Sequence, residues 1–143
     1  MRGFVFIATL MAATVLHAAE IKTVRTSSEE SSTRVVFDLT DSVDYRVFTM
    51  RNPDRVVIDF RRTGSASTLG LPDGGPPGIK RFRHARRGDD GLRVVLDMAR
   101  AVNVDTTLLA PNRQFGYRVV LDLHAKRPGT VSPAASNHPD SLV

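Results

Sequence analysis

One six-residue pattern, Arg-Val-Val-Φ-Asp-Φ with Φ a large apolar residue, occurs four times in this chain. The copies are Arg34 to Leu39, Arg55 to Phe60, Arg93 to Met98 and Arg118 to Leu123. Its period is two. Side chains of an extended chain alternate between opposite faces, so Val35, Phe37 and Leu39 share one face, with Arg34, Val36 and Asp38 on the other. The first face recurs as Val56, Ile58, Phe60, then Val94, Leu96, Met98, then Val119, Leu121, Leu123, and every one of these positions is apolar. β-branched residues are dense and turn residues bracket each run, so each copy is expected to be a half-buried strand.

The four copies belong to a duplication. Residues 21–60 and 79–123 match segment by segment: Ile21-Lys22-Thr23-Val24-Arg25 against Ile79-Lys80-Arg81-Phe82-Arg83, a polar turn (SSEESST against HARRGDDG), the first motif copy, a looser stretch at 44–50 or 102–109, a proline turn, and the second motif copy. This predicts about four strands per repeat and an all-β fold, two small, mostly antiparallel sheets packed face to face as a sandwich. Residues 61–78 hold five Gly and three Pro and read as the crossing between the halves.

Both ends read as lying outside this fold. Met1 and Arg2 precede an apolar run from Phe4 to Leu16 and then His17-Ala18-Ala19, the pattern of a Sec-type signal peptide over 1–19, cut after Ala18 or Ala19. The run is too short for a spanning helix of roughly 20 apolar residues, so no stable membrane anchor is expected. Residues 125–143 carry prolines and small residues without periodicity and read as a disordered linker or tail. The folded unit is expected over 20–124. Cysteine is absent, which excludes a disulfide framework and thiolate chemistry.

The outward positions are Arg34, Val36, Asp38; Arg55, Val57, Asp59; Arg93, Val95, Asp97; and Arg118, Val120, Asp122. They admit two readings. One is a solvated sheet face with cross-strand Arg–Asp pairs. The other is a binding surface: guanidinium forks on rigid strands take carboxylates two-pronged, and the aspartates accept from hydroxyls or amides. Seventeen of the 20 basic residues are Arg and the net charge is +5, which suits an acidic partner.

The repeated RxVxD strands, the stretch Asn52-Pro53-Asp54-Arg55-Val56-Val57-Ile58-Asp59 and the secretory signal together resemble the AMIN domain over about 21–124. AMIN domains precede the catalytic domain of periplasmic N-acetylmuramoyl-L-alanine amidases and also occur in type IV pilus secretins. The resemblance implies two symmetrical four-stranded sheets with the motifs exposed on the outer faces. It implies peptidoglycan as ligand, the twelve outward residues above as ligand-binding positions, and a periplasmic location at the cell wall. The second repeat departs from the pattern, with Ala110-Pro111 and a longer turn in place of Asn-Pro-Asp.

The amidases resembled use zinc held by His and Glu in a separate domain. Past the signal this chain has only His84, His124 and His138, none with a second His or a Glu at ligand spacing, so no metal, no cofactor and no catalytic residue is expected. Ser27-Ser28 and Ser31-Ser32 lack an activating His, and the pairs Glu29-Glu30 and Asp89-Asp90 read as solvated turns. Gly74-Gly75 is followed by Pro-Pro and is no phosphate loop. The basic run Lys80, Arg81, Arg83, Arg86, Arg87 and Arg93 could serve nucleic acid, but an export signal and few aromatics speak against that partner. Two functions stay open: a non-catalytic wall-binding module, which could be the front end of an amidase without its catalytic domain, or a periplasmic adaptor that pairs strand edges with secretin or septal proteins.

Overall fold

The computed structural model of the protein describes residues 18–72 and 75–126. They form nine strands: β1 (Ala19–Ser28), β2 (Ser32–Leu39), β3 (Tyr45–Met50), β4 (Arg55–Phe60), β5 (Thr63–Ser65), β6 (Ile79–Arg87), β7 (Gly91–Met98), β8 (Val102–Leu109) and β9 (Tyr117–Ala125). One sheet has the order β5-β1-β2-β9-β8 and the other β3-β4-β7-β6. All neighbours are antiparallel except β5, which runs parallel to β1. The expected sandwich is present, with five and four strands. Among the described residues no helix is long and apolar enough to cross a membrane. The signal-peptide run and most of the tail lie outside the described residues.

Each repeat divides into two hairpins, and the hairpins go to different sheets. The first sheet joins β1-β2 of repeat one to β9-β8 of repeat two; the second joins β3-β4 of repeat one to β7-β6 of repeat two. The seams are β2–β9 and β4–β7, where the motif copies of different repeats pair with each other. The halves match down to their irregularities: β1 has a register shift between Ile21 and Thr23, β6 between Ile79 and Arg81.

All twelve inward motif residues are buried, and none exceeds 5% exposure. Ala19, Ile21 and Val24 of β1, Ile79 of β6, Leu92 of β7 and Val102 of β8, with Val43 and Leu69 from connecting segments, complete one core. Phe37 and Phe60, one from each sheet, meet edge to face with centroids 5.4 Å apart, a favoured aromatic geometry.

Three details differ from the sequence reading. His84 to Arg87, expected in a turn, continue β6 to the hairpin, whose turn contains Gly88 at φ +65°. As an edge strand, β6 leaves this half exposed on both sides, so no apolar alternation marks it. The fifth strand of the first sheet, β5, comes from the connector and covers the outer edge of β1, which would otherwise present unpaired backbone groups. Its three residues, Thr-Gly-Ser, carry no alternation. The last strand, β9, runs one residue past the expected boundary at 124, to Ala125.

Candidate functional site

The strand registers convert the four motif copies into two grids. On the outer face of the first sheet, Arg34 lies opposite Asp122, Val36 opposite Val120 and Asp38 opposite Arg118. On the second, Arg55 lies opposite Asp97, Val57 opposite Val95 and Asp59 opposite Arg93. An R-x-V-x-D strand run antiparallel to another places Arg against Asp, Val against Val and Asp against Arg. The motif is therefore its own complement, and cross-strand pairing accounts for much of its recurrence.

The pairs that form follow the two-fold relation between repeats. Arg34 donates to both oxygens of Asp122 at 2.7 and 3.0 Å, and its counterpart Arg93 to both oxygens of Asp59 at 2.6 and 2.8 Å. The other two aspartates are taken from outside the motif. Arg25 on β1 forks onto Asp38 at 2.6 and 2.9 Å, and its counterpart Arg83 on β6 onto Asp97 at 3.1 and 2.7 Å. These guanidinium hydrogen bonds, more than any other influence, hold all four carboxyls below the usual aspartate range. The sequence reading missed Arg25 and Arg83, although they occupy matching places in the two repeats.

Two motif arginines, Arg55 and Arg118, are thus left without a fork, and they too are counterparts. Arg118 turns to the carbonyl oxygens of Gly116 and Ala110 at 3.3 and 3.4 Å, with its guanidinium 5.1 Å from the centre of the Phe115 ring. Arg55 sits 3.3 Å from Asp97, but its buried Nε–H is not aimed at the carboxylate and has no hydrogen-bond partner. The twelve candidate positions do fall on the two outer faces, though unequally exposed. Val57 and Asp59 are 2% and 7% exposed, because β4 lies inside its sheet and neighbouring outward side chains cover them.

The faces differ in charge at their flanking strands. Alongside its motif arginines the first sheet carries Arg25, and it adds Asp105 from β8 to its two motif aspartates, giving three Arg and three Asp outward. The second adds Arg46 from β3 and Arg81, Arg83 and Arg87 from β6, giving six Arg against Asp59 and Asp97. Asp59 alone is within ion-pair distance of Arg93, Arg87 and Arg46, at 2.6, 3.0 and 3.4 Å. The Phe48 ring lies beside Arg46 and Arg93, 5.2 and 5.7 Å from their guanidinium carbons.

The AMIN domain model matches residues 20–114. This chain belongs to the AMIN domain family. The AMIN match stops short of β9, yet β9 is interior to the first sheet and supplies Arg118 and Asp122. Curated relatives include the N-acetylmuramoyl-L-alanine amidase AmiC of Neisseria meningitidis serogroup B, 28% identical over 81% of this chain and 31% of that protein. A second is the AmiC amidase of Escherichia coli O6:H1, 28% identical over 74% of this chain and 26% of that protein. The chain thus spans less than a third of the length of these relatives. Among its described residues, no group of three or more His, Asp or Glu side chains is disposed to hold a metal ion.

Proposed function

We propose that this AMIN domain is a non-catalytic module that is exported to the periplasm and binds peptidoglycan through the outer faces of its sandwich. The observation that carries the reading is membership of the AMIN domain family together with similarity to two proteins named N-acetylmuramoyl-L-alanine amidase. The faces suit the task chemically. Stem peptides end in carboxylates, which guanidinium forks take two-pronged, and the glycan offers hydroxyls and amides to the aspartates. With no Trp in the chain, stacking on sugar rings is a minor contribution and the Arg and Asp side chains carry recognition. The flat strands favour an extended polymer over a small enclosed ligand.

Co-sedimentation of residues 19–143 with purified sacculi tests this. The protein pellets with sacculi, in the presence of nucleic-acid and vesicle competitors, and the same protein with zinc releases no label from labelled sacculi. Failure to pellet overturns the binding reading, and chelator-sensitive release of label overturns the non-catalytic one.

A further inference from the structure

We propose that the two outer faces are not equivalent, and that the β3-β4-β7-β6 sheet alone is the ligand face, with Arg55 and Arg81 receiving carboxylates of an extended polyanion. The inference deepens the wall-binding reading and rests on it only for the identity of that polymer.

Positions related by the internal two-fold carry different side chains on the two faces. Thr23 on β1 corresponds to Arg81 on β6, since each follows the register shift and faces an aspartate. Thr23 donates its hydroxyl to Asp38 at 2.9 Å and helps close that carboxylate off. Arg81 brings a third cation beside Asp97, which already has Arg83 and Arg55 within ion-pair distance, and makes no hydrogen bond or ion pair among the described residues. Asp105 on β8 corresponds to Arg46 on β3, so a negative charge on one face becomes a positive one on the other. On the first face three arginines are matched by three aspartates, Asp105 also meets His124 at 3.4 Å, and the leftover arginine, Arg118, is satisfied by loop carbonyls. The second has more guanidiniums than its two carboxylates can occupy, and its leftover arginine, Arg55, keeps an unpaired buried donor.

The register places Arg55 and Arg81 in one row, with Asp97 between them. Neighbouring strands are about 4.8 Å apart. The backbone positions of Arg55 and Arg81 therefore lie about 10 Å apart on either side of Asp97, a separation that two carboxylates of one extended polymer can span. Nothing comparable lies on the first face.

Two probes test the proposal. The first is a short soluble glutamate oligomer, followed by amide chemical shifts. Resonances on β4, β6 and β7 move, and the Arg55→Ala/Arg81→Ala double variant, checked for folding by circular dichroism, weakens binding about tenfold or more, as loss of charge-assisted hydrogen bonds requires. The Arg34→Ala/Arg118→Ala double variant loses less, and Arg100→Ala/Arg113→Ala, which removes the same charge from loops, changes nothing. Equal shifts on β2 and β9, or equal losses from the two double variants, overturn the assignment; an equally tight polyphosphate overturns the carboxylate chemistry. The second probe is sacculi with native or methylamide-capped carboxyls, and capping abolishes pelleting. If the oligomer binds the second sheet but sacculi do not pellet, the face assignment stands and the wall-binding reading fails. If sacculi pellet and both the capping and the Arg55→Ala/Arg81→Ala variant are without effect, the reverse holds.

Discussion

The guanidinium of Arg93 and the carboxylate of Asp59 meet fork to fork, at 2.6 and 2.8 Å, across the β4–β7 seam, so a residue of one repeat is held by its opposite number in the other. The Asp59 side chain is 9% exposed and is also approached by Arg46 and Arg87. Replacing it by asparagine keeps the shape and removes the only negative charge among three arginines. Asp59→Asn should cost about 2 kcal/mol of stability, as expected for hydrogen bonds to charged groups. Asp122→Asn, whose side chain is 29% exposed, should cost less. Urea unfolding of the two variants checks the order.

Stability should fall in acid. Asp38, Asp59, Asp97 and Asp122 all have carboxyls held below their ordinary value in the folded protein by hydrogen bonds from Arg25, Arg93, Arg83 and Arg34. A lowered folded pKa means that the stabilisation is complete above the unfolded value, about 3.9, and is lost as pH drops through the folded values. The melting temperature should therefore be level at mildly acidic to neutral pH and decline below about pH 4. The decline should be shallower in Asp59→Asn, and an identical acid limb in that variant would remove Asp59 from the account.

Gly91 opens β7 where two backbone segments crowd it. A Cβ there would lie 2.7 Å from the Arg87 carbonyl oxygen and 3.0 Å from that of Phe60. Backbone cannot yield as a flexible side chain can, so Gly91→Ala should destabilise by about 1–3 kcal/mol. Gly64→Ala, which meets nothing within 4 Å, should be close to neutral. Thermal melts of the pair give the comparison.

The first strand begins at Ala19, which is 6% exposed and pairs with Thr63 on β5. Cleavage after Ala19 would remove a buried residue from the sheet, whereas cleavage after Ala18 keeps the strand whole. The mature protein recovered from an exporting cell should begin at Ala19, as intact mass will show.

The inward half of the fold was legible because it is encoded locally. Val35, Ile58, Leu96 and Leu121 announce their face through period two, and all twelve such residues are buried. The partnering of the sheets was not, because nothing in a strand's own residues says whether β2 pairs with β4 or with β9. Alternation also gives a side chain's direction without saying what covers it, so Asp59 read as exposed as Asp38. Arg25 and Arg83 occupy matching places in the two repeats, but they lie outside the six-residue pattern, and nothing in their own strands announces the forks they make. The charge difference between faces sits in β3, β6 and β8, the strands with the weakest periodicity.

The exchange of hairpins has an evolutionary reading. A chain of one repeat would own half of each sheet, and neither half could cover its apolar side alone. It could reach this sandwich only by trading hairpins with a second copy around a two-fold axis, the arrangement of a swapped homodimer. Fusing the copies through residues 61–78 makes that encounter intramolecular. It also frees the copies to diverge: in a homodimer, Thr23 and Arg81 would have to be the same residue, as would Asp105 and Arg46.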